Sequence, residues 1–205
     1  MSRLSTALLA CAFAALAALV AAGRFTRVDQ WAVDHLMPGA KAGNRGGDLL
    51  DGLVPLLHAN WNSAYSIANI VTLPASFLVA LAIAFAYSRV LGAMLLAAVA
   101  VEVLCKELIT RPALYSKSFH VAAFDSSFPS GHALRTVIVA AAVAWTWPRA
   151  RGLAVAWAIA SLALLQLAGW HTPTDLAGGV LLGALALLGA RGAGALGRRR
   201  LAART

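Results

Sequence analysis

The sequence predicts an all-α fold, a six-transmembrane-helix bundle with short interfacial helices between the first and second membrane helices. Three observations lead there. The chain of 205 residues is 60% hydrophobic and only 12% charged, where a soluble domain carries roughly a quarter charged residues. Apolar runs recur along it, each close to the ~20 residues a helix needs to cross a bilayer. The basic residues gather on one side of the membrane those runs imply.

The runs, in order, are Leu4–Ala22, Ile67–Tyr87, Val90–Ile109, Ser130–Trp147, Leu153–Trp170 and Pro173–Ala190. The last three are short, which suits helices whose ends do polar work. The first lacks a clean small-residue cleavage pattern after it and reads as a retained helix rather than a signal peptide. Between the first two runs lies the mixed segment Arg24–Ser66. Within it "DQWAVDHLM" and "DLLDGLVPLLH" have helical spacing with one polar face each and read as helices on the membrane surface, with Trp31 and Trp61 at the interface. Cys11 and Cys105 lie in apolar runs without motif spacing and read as small core residues. The C-terminal "RGAGALGRRRLAART" is a basic tail, read as a cytoplasmic flank rather than a nucleic-acid-binding segment.

With six helices and both termini inside, the inner segments hold Arg3, Arg89, Arg149, Arg151, Arg191, Arg198, Arg199, Arg200 and Arg204 and no acidic residue. The acidic residues all fall on outer loops or outer helix ends. The positive-inside rule favours this arrangement, in a plasma (inner) membrane with both termini cytoplasmic. Lys106, Arg111 and Lys117 break the trend together, on the outer side.

Three polar clusters then meet at the outer face. "KELITRP", Lys106 to Pro112, closes the third helix, which Pro112 should stop. Lys106 either pairs with Glu102 four residues back or serves an anion; Arg111 either snorkels to the headgroups or does the same. "PSGH", Pro129 to His132, opens the fourth helix. Ser130 is a good N-cap, Gly131 lets an anion approach the backbone, and the helix N-terminus favours phosphate. "WHTPTD" opens the sixth, with Thr172 as N-cap, Pro173 at the first helical position and Asp175 closing a capping box. Capping leaves His132 and His171 unexplained, and a histidine at a membrane boundary needs a polar partner. Asp175, four residues after His171, is placed to orient and charge its imidazole. Two histidines, an aspartate, cations and a helix N-terminus in one layer suit phosphoryl transfer. No metal or other cofactor is required, and no carboxylate cluster is present to hold a metal.

From about Arg89 to Gly189 the chain resembles the type 2 phosphatidic acid phosphatases (PAP2), membrane enzymes related to the vanadium haloperoxidases. That family carries Lys–six residues–Arg-Pro, then Pro-Ser-Gly-His, then Ser-Arg–five residues–His–three residues–Asp. The second motif stands intact as Pro129-Ser130-Gly131-His132, and the latter half of the third as His171 to Asp175, followed by Leu176-Ala177-Gly178-Gly179. The resemblance implies His171 as a nucleophile forming a phosphohistidine, Asp175 as its orienting partner and His132 as general acid. Ser130, the Gly131 amide, Lys106 and Arg111 would bind phosphate oxygens.

Two arginines are out of place. Lys106 is followed by only four residues before Arg111-Pro112, and Ala113 and Leu114 stand at the family's spacing. The third motif's serine and arginine are Leu164 and Leu165. Arg135, one turn after His132 on the same helix face, is a candidate replacement reaching the same phosphate; its alternatives are a pair with a buried carboxylate such as Glu102, or snorkelling outward. His120, Lys117 and Asp125 lie in the loop between the first two motifs and read as ordinary solvated residues, the alternative being contact with the substrate headgroup.

The expectation is one integral membrane domain, residues 1–205 with a catalytic core of about 89–190, acting as a phosphatase on a lipid phosphate or diphosphate. Its partners would be that lipid and the membrane, not nucleic acid. The alternatives are a lipid phosphotransferase of the same fold or a non-catalytic lipid-binding relative with a degenerate site.

Overall fold

A computed structural model describes residues 3–37, 74–116 and 118–202. About 80% of it is helical, in seven α-helices among the described residues. They are α1 (Arg3–Ala21), α2 (Thr26–Leu36), α3 (Pro74–Tyr87), α4 (Arg89–Leu108), α5 (Gly131–Thr146), α6 (Arg151–Leu167) and α7 (Pro173–Ala202). A helix forms over each of the six apolar runs. The first seven residues of the second run lie outside the described residues, as do the segment "DLLDGLVPLLH", Trp61 and Lys117.

Among the described residues, three helical stretches are long and apolar enough to cross a membrane: Leu4–Ala21, Pro148–Leu167 and Pro173–Ala193. The other three of the six expected spans are shorter or more charged. α5 has 16 residues, the described apolar part of α3 runs only over Leu78–Tyr87, and α4 carries Arg89, Glu102, Lys106 and Glu107 within its 20 residues. α7 does not stop at Ala190 but continues through the basic segment as far as Ala202.

α7 is the central element, packing on α5, α1 and α4, while α5 also packs on α6 and α3. The core between them is aliphatic, built on Leu91, Leu95, Leu134, Ile138, Leu182 and Ala186. α5 and α7 come close because glycines face the contact. A Cβ on Gly179 would run into the Ser130 carbonyl and the Ala133 side chain, and one on Gly178 would strike the Phe128 ring. This close approach sets the start of α5 beside the start of α7. Cys11, read from sequence as a core residue, is exposed on α1: a run this apolar gives a helix with no polar face to mark which side is buried.

α2 is the short helix expected over "DQWAVDHLM", with Trp31 exposed. It also has an inward stripe of Asp29, Ala32 and Val33, spaced to share one face and all buried. A two-residue hairpin pairs Tyr115 with His120 and Ser116 with Phe119. These are the only strands among the described residues, and sequence periodicity does not announce them. Gln30 of α2 holds the hairpin by accepting from the Tyr115 N–H (2.9 Å) and donating to its carbonyl (2.6 Å).

The helices alternate in direction, so α4 ends, α5 begins and α7 begins at the same end of the bundle. At the opposite end Trp145 meets Tyr87, with ring centroids 5.4 Å apart, and Arg191, which lies 4.3 Å over its ring.

Candidate active site

Ser130 caps α5, its hydroxyl accepting from the Ala133 N–H at 3.2 Å. His132 therefore sits in the first turn, its side chain directed at the segment before α7. There Thr172 caps α7: its N–H donates to Asp175 Oδ2 (3.0 Å) and its hydroxyl accepts from the Asp175 N–H (3.3 Å), the capping box read from sequence. The Ser130 N–H also donates to the Asp175 carbonyl at 2.9 Å, tying the two helix starts together.

Across this junction His132 Nδ1 lies 2.9 Å from His171 Nε2, with ring centroids 5.1 Å apart. One imidazole must donate and the other accept. His171 is buried, and its Nδ1 is 3.8 Å from Asp175 Oδ2, a charge contact too long for a hydrogen bond. That nitrogen has no other hydrogen-bond partner. A ring shift of about 1 Å would bring it to bonding distance. With its Nδ1 proton turned to Asp175, His171 accepts at Nε2, and His132 Nδ1–H is the donor. The Trp170 ring stands edge-on to His132 with centroids 5.8 Å apart.

Asp175 is fully buried and strongly held. Ser127 Oγ lies 2.7 Å from Oδ2 and can donate there or to the Phe124 carbonyl, while Arg111 donates to Oδ1 at 2.9 Å. Arg111 had two sequence readings, snorkelling and phosphate binding. The structure turns it inward instead. α4 ends at Leu108, four residues before Pro112, and an extended Ile109 carries the chain off the helix axis. The Arg111 guanidinium then reaches Thr172 Oγ1 and Thr174 Oγ1 (2.8 Å each) and Asp175, with Asp29 Oδ2 at 3.4 Å. Asp29 in turn accepts from the Thr174 hydroxyl at 2.7 Å and the Thr174 N–H at 3.3 Å. Burial pushes the Asp29 carboxyl above its usual range, opposed by the Thr174 hydroxyl and the Arg111 charge.

A second cluster centres on Glu102, which is buried. Lys106 donates to its Oε1 at 2.6 Å, and the Arg135 guanidinium lies 3.8 Å from Oε2. Both pairings weighed from sequence are therefore formed. The carboxylate also stands where a Cβ on Gly131 would be, so the anion nearest that backbone is the protein's own. Leu165, at the position of the family's third-motif arginine, is fully buried against Ala133 and Leu176.

The structure thus brings His132, His171, Asp175, Ser130 and Arg111 into one contact network, and gathers Lys106, Arg135 and Gly131 around Glu102. His120 pairs with Asp125 at 2.9 Å, both partly exposed, and the Asp125 carbonyl accepts from the Arg111 N–H at 3.1 Å at the edge of that network. Asp29, Ser127 and Thr174 were not singled out from sequence. Nothing marks Ser127 within a serine-rich loop, and Asp29 lies on a helix whose spacing suggested only a surface position.

Neither curated proteins nor solved structures give a significant match. The family model described as the PAP2 superfamily matches residues 90–193, about half the chain, and takes in the end of α4, the Pro-Ser-Gly-His turn and the start of α7. Its members are generally phosphatases. With both site histidines, Asp175 and the Pro-Ser-Gly-His turn inside the matched segment, the chain belongs to the PAP2 superfamily.

Proposed function

We propose that this protein is a membrane-embedded phosphatase that removes phosphate from a lipid phosphate or diphosphate through a phosphohistidine. Polyprenyl diphosphate, phosphatidic acid and phosphatidylglycerophosphate are the substrate types that fit. The observation that carries the reading is the 2.9 Å contact between His132 Nδ1 and His171 Nε2, beside the buried Asp175.

His171 Nε2 attacks phosphorus. The P–N bond forms as the bond from phosphorus to the lipid oxygen breaks, and His132 gives its Nδ1 proton to that oxygen. Asp175 takes the Nδ1 proton of His171 as a hydrogen bond and balances the charge that develops on the ring. Water then attacks phosphorus: the new P–O bond forms as the P–N bond breaks, His132 accepts the water's proton, and phosphate leaves with His171 restored. In this scheme the His132 proton covers the lone pair of His171 at rest, so a phosphoryl group enters only as the two rings part and His132 turns to the leaving oxygen. Ser130, the Gly131 amide, Lys106 and Arg135 would hold phosphate oxygens, the two cations turning from Glu102 to do so, and Arg111 would act through Asp175.

The apolar helices supply a lipid-facing surface, and the charge asymmetry of the sequence favours an active site at the outer face of the plasma membrane. The lipid tail would lie between helices with its headgroup at the histidines. The chemistry uses no metal.

The test is phosphate release from a panel of lipid phosphates by the detergent-solubilised protein, wild type beside His171→Ala. Release that depends on His171 is the expected result. Phosphoryl transfer seen only with an added acceptor would make the protein a phosphotransferase. No turnover with any lipid phosphate would leave a non-catalytic lipid binder.

A further inference from the structure

We propose that Asp29, on α2 and outside the family-matched segment, is a positioning residue of this site, sharing the charge of Arg111 so that Asp175 remains available to His171. The proposal rests on the reading of His171 as nucleophile.

The geometry is that of one guanidinium between two buried carboxylates. Asp29 is 2% exposed and Asp175 is 0% exposed. Arg111 bonds Asp175 through Oδ1 at 2.9 Å and faces Asp29 Oδ2 at 3.4 Å. The two oxygens of Asp175 are thereby divided. Oδ1 belongs to Arg111; Oδ2 takes the Thr172 N–H, lies in reach of Ser127 and faces His171 Nδ1.

The charge count decides what Asp29 does. Arg111, Asp29 and Asp175 together carry one net negative charge, and His171 is the group beside it able to use that charge. It fixes the Nδ1–H tautomer and steadies the positive ring formed on attack. Without the Asp29 charge, Arg111 neutralises Asp175 alone and the net charge is zero. Asp175 is then drawn toward Arg111, and its hold on Nδ1–H weakens. Asp29 touches no substrate atom in this scheme, so its loss should act on turnover rather than on binding. It also clamps Thr174 in the first turn of α7, a structural duty that has to be told apart from the electrostatic one. A small cleft lined by Val20, Phe25, Thr26, Pro112 and Leu114 reaches the same Asp29–Arg111 pair.

The experiment compares wild type with Asp29→Asn, which keeps the shape and a carbonyl for Thr174 but removes the charge. Asp34→Asn, an exposed acid on the same helix, is the control. Side-chain nitrogen NMR of histidine-labelled protein in detergent reads the tautomer of His171 without any substrate. The expected result is a dominant Nδ1–H form in wild type and in Asp34→Asn, and a mixture of tautomers in Asp29→Asn. Turnover should fall about tenfold in Asp29→Asn with KM within about twofold. If Asp29→Asn lowers the melting temperature but keeps the wild-type tautomer and turnover, Asp29 is a structural clip and the proposal is wrong. If wild type hydrolyses no lipid phosphate, the phosphatase reading fails, and the tautomer comparison still decides this proposal.

Discussion

Replacing Arg111 by methionine should destabilise the fold far more than an ordinary substitution at a membrane boundary. The side chain is 4% exposed, and its charge faces Asp175 at 2.9 Å and Asp29 at 3.4 Å. The two threonines lose little, because Thr174 Oγ1 still donates to Asp29 and Thr172 Oγ1 still accepts from the Asp175 N–H. The loss falls on the carboxylates, left buried without a counter-charge. Removing one partner of a buried ion pair costs about 3–5 kcal/mol. For a chain of this size a loss of 1 kcal/mol lowers Tm by roughly 2–4 °C, so the expected drop is on the order of 6–20 °C. Tryptophan fluorescence during heating in detergent reads it directly. Arg111→Lys keeps the charge but not the fork that meets several acceptors at once, and should recover only part of the loss. A Tm for Arg111→Met within about 2 °C of wild type would refute the view that Arg111 is a buried counter-ion. An Arg111 free to meet lipid or phosphate headgroups would give that result.

Other outcomes follow from the same geometry. His171→Ala and His132→Ala should each abolish phosphate release, falling at least on the order of a hundredfold, while both variants fold; rapid-quench trapping should find phosphoenzyme in neither His171→Ala nor its heat-denatured control. Arg135→Ala should cut turnover on the order of a hundredfold and leave a folded protein, checked by lipid-phosphate hydrolysis beside a thermal melt; normal activity would mean that Arg135 serves Glu102 alone. Gly179→Leu should destabilise by about 1–3 kcal/mol, seen as a lower Tm, because the new side chain must push α5 away from α7 at the Ser130 carbonyl. Asp29 gives a pH dependence of defined sign. Its folded pKa is raised, so its contribution is fully present below the ordinary value of 3.8 and is lost as pH rises through the folded value. Denaturation of wild type against Asp29→Asn across mildly acidic pH should show wild type losing stability relative to the variant as pH increases.

The helices were legible in the sequence because each run stays apolar over most of its length, with its charged residues near the ends. The two helix starts that carry the site were legible because capping chemistry is local: Ser130, Thr172, Pro173 and Asp175 act within a few residues of themselves. The pairing of His132 with His171 could be inferred only from topology and family resemblance, since the two are far apart along the chain. The inward pairing of Arg111 was not legible, because its partners Thr172, Thr174 and Asp175 lie far along the chain from it. Asp29 was invisible for a different reason. Its partner Thr174 lies across the bundle, and the inward stripe of α2 holds only Asp29, Ala32 and Val33, too short to register against a polar background.

The departures from the family pattern become connected once the side chains are placed. Leu165 has no cation to offer, and its burial against Ala133 and Leu176 closes that position to one, because a guanidinium there would be desolvated without an acid facing it. Arg111 is committed to Asp175 and Asp29. Lys106 and Arg135 are two further cations among the described residues of this end, and both stand on Glu102. A carboxylate held by two cations against the backbone of Gly131 occupies the kind of place a phosphate oxygen would take. Under the proposed function, Glu102 would set the net charge that an entering phosphate meets, and binding would have to divide two cations between a fixed carboxylate and a mobile anion. A monoester or diphosphate with more negative charge would then compete for them better.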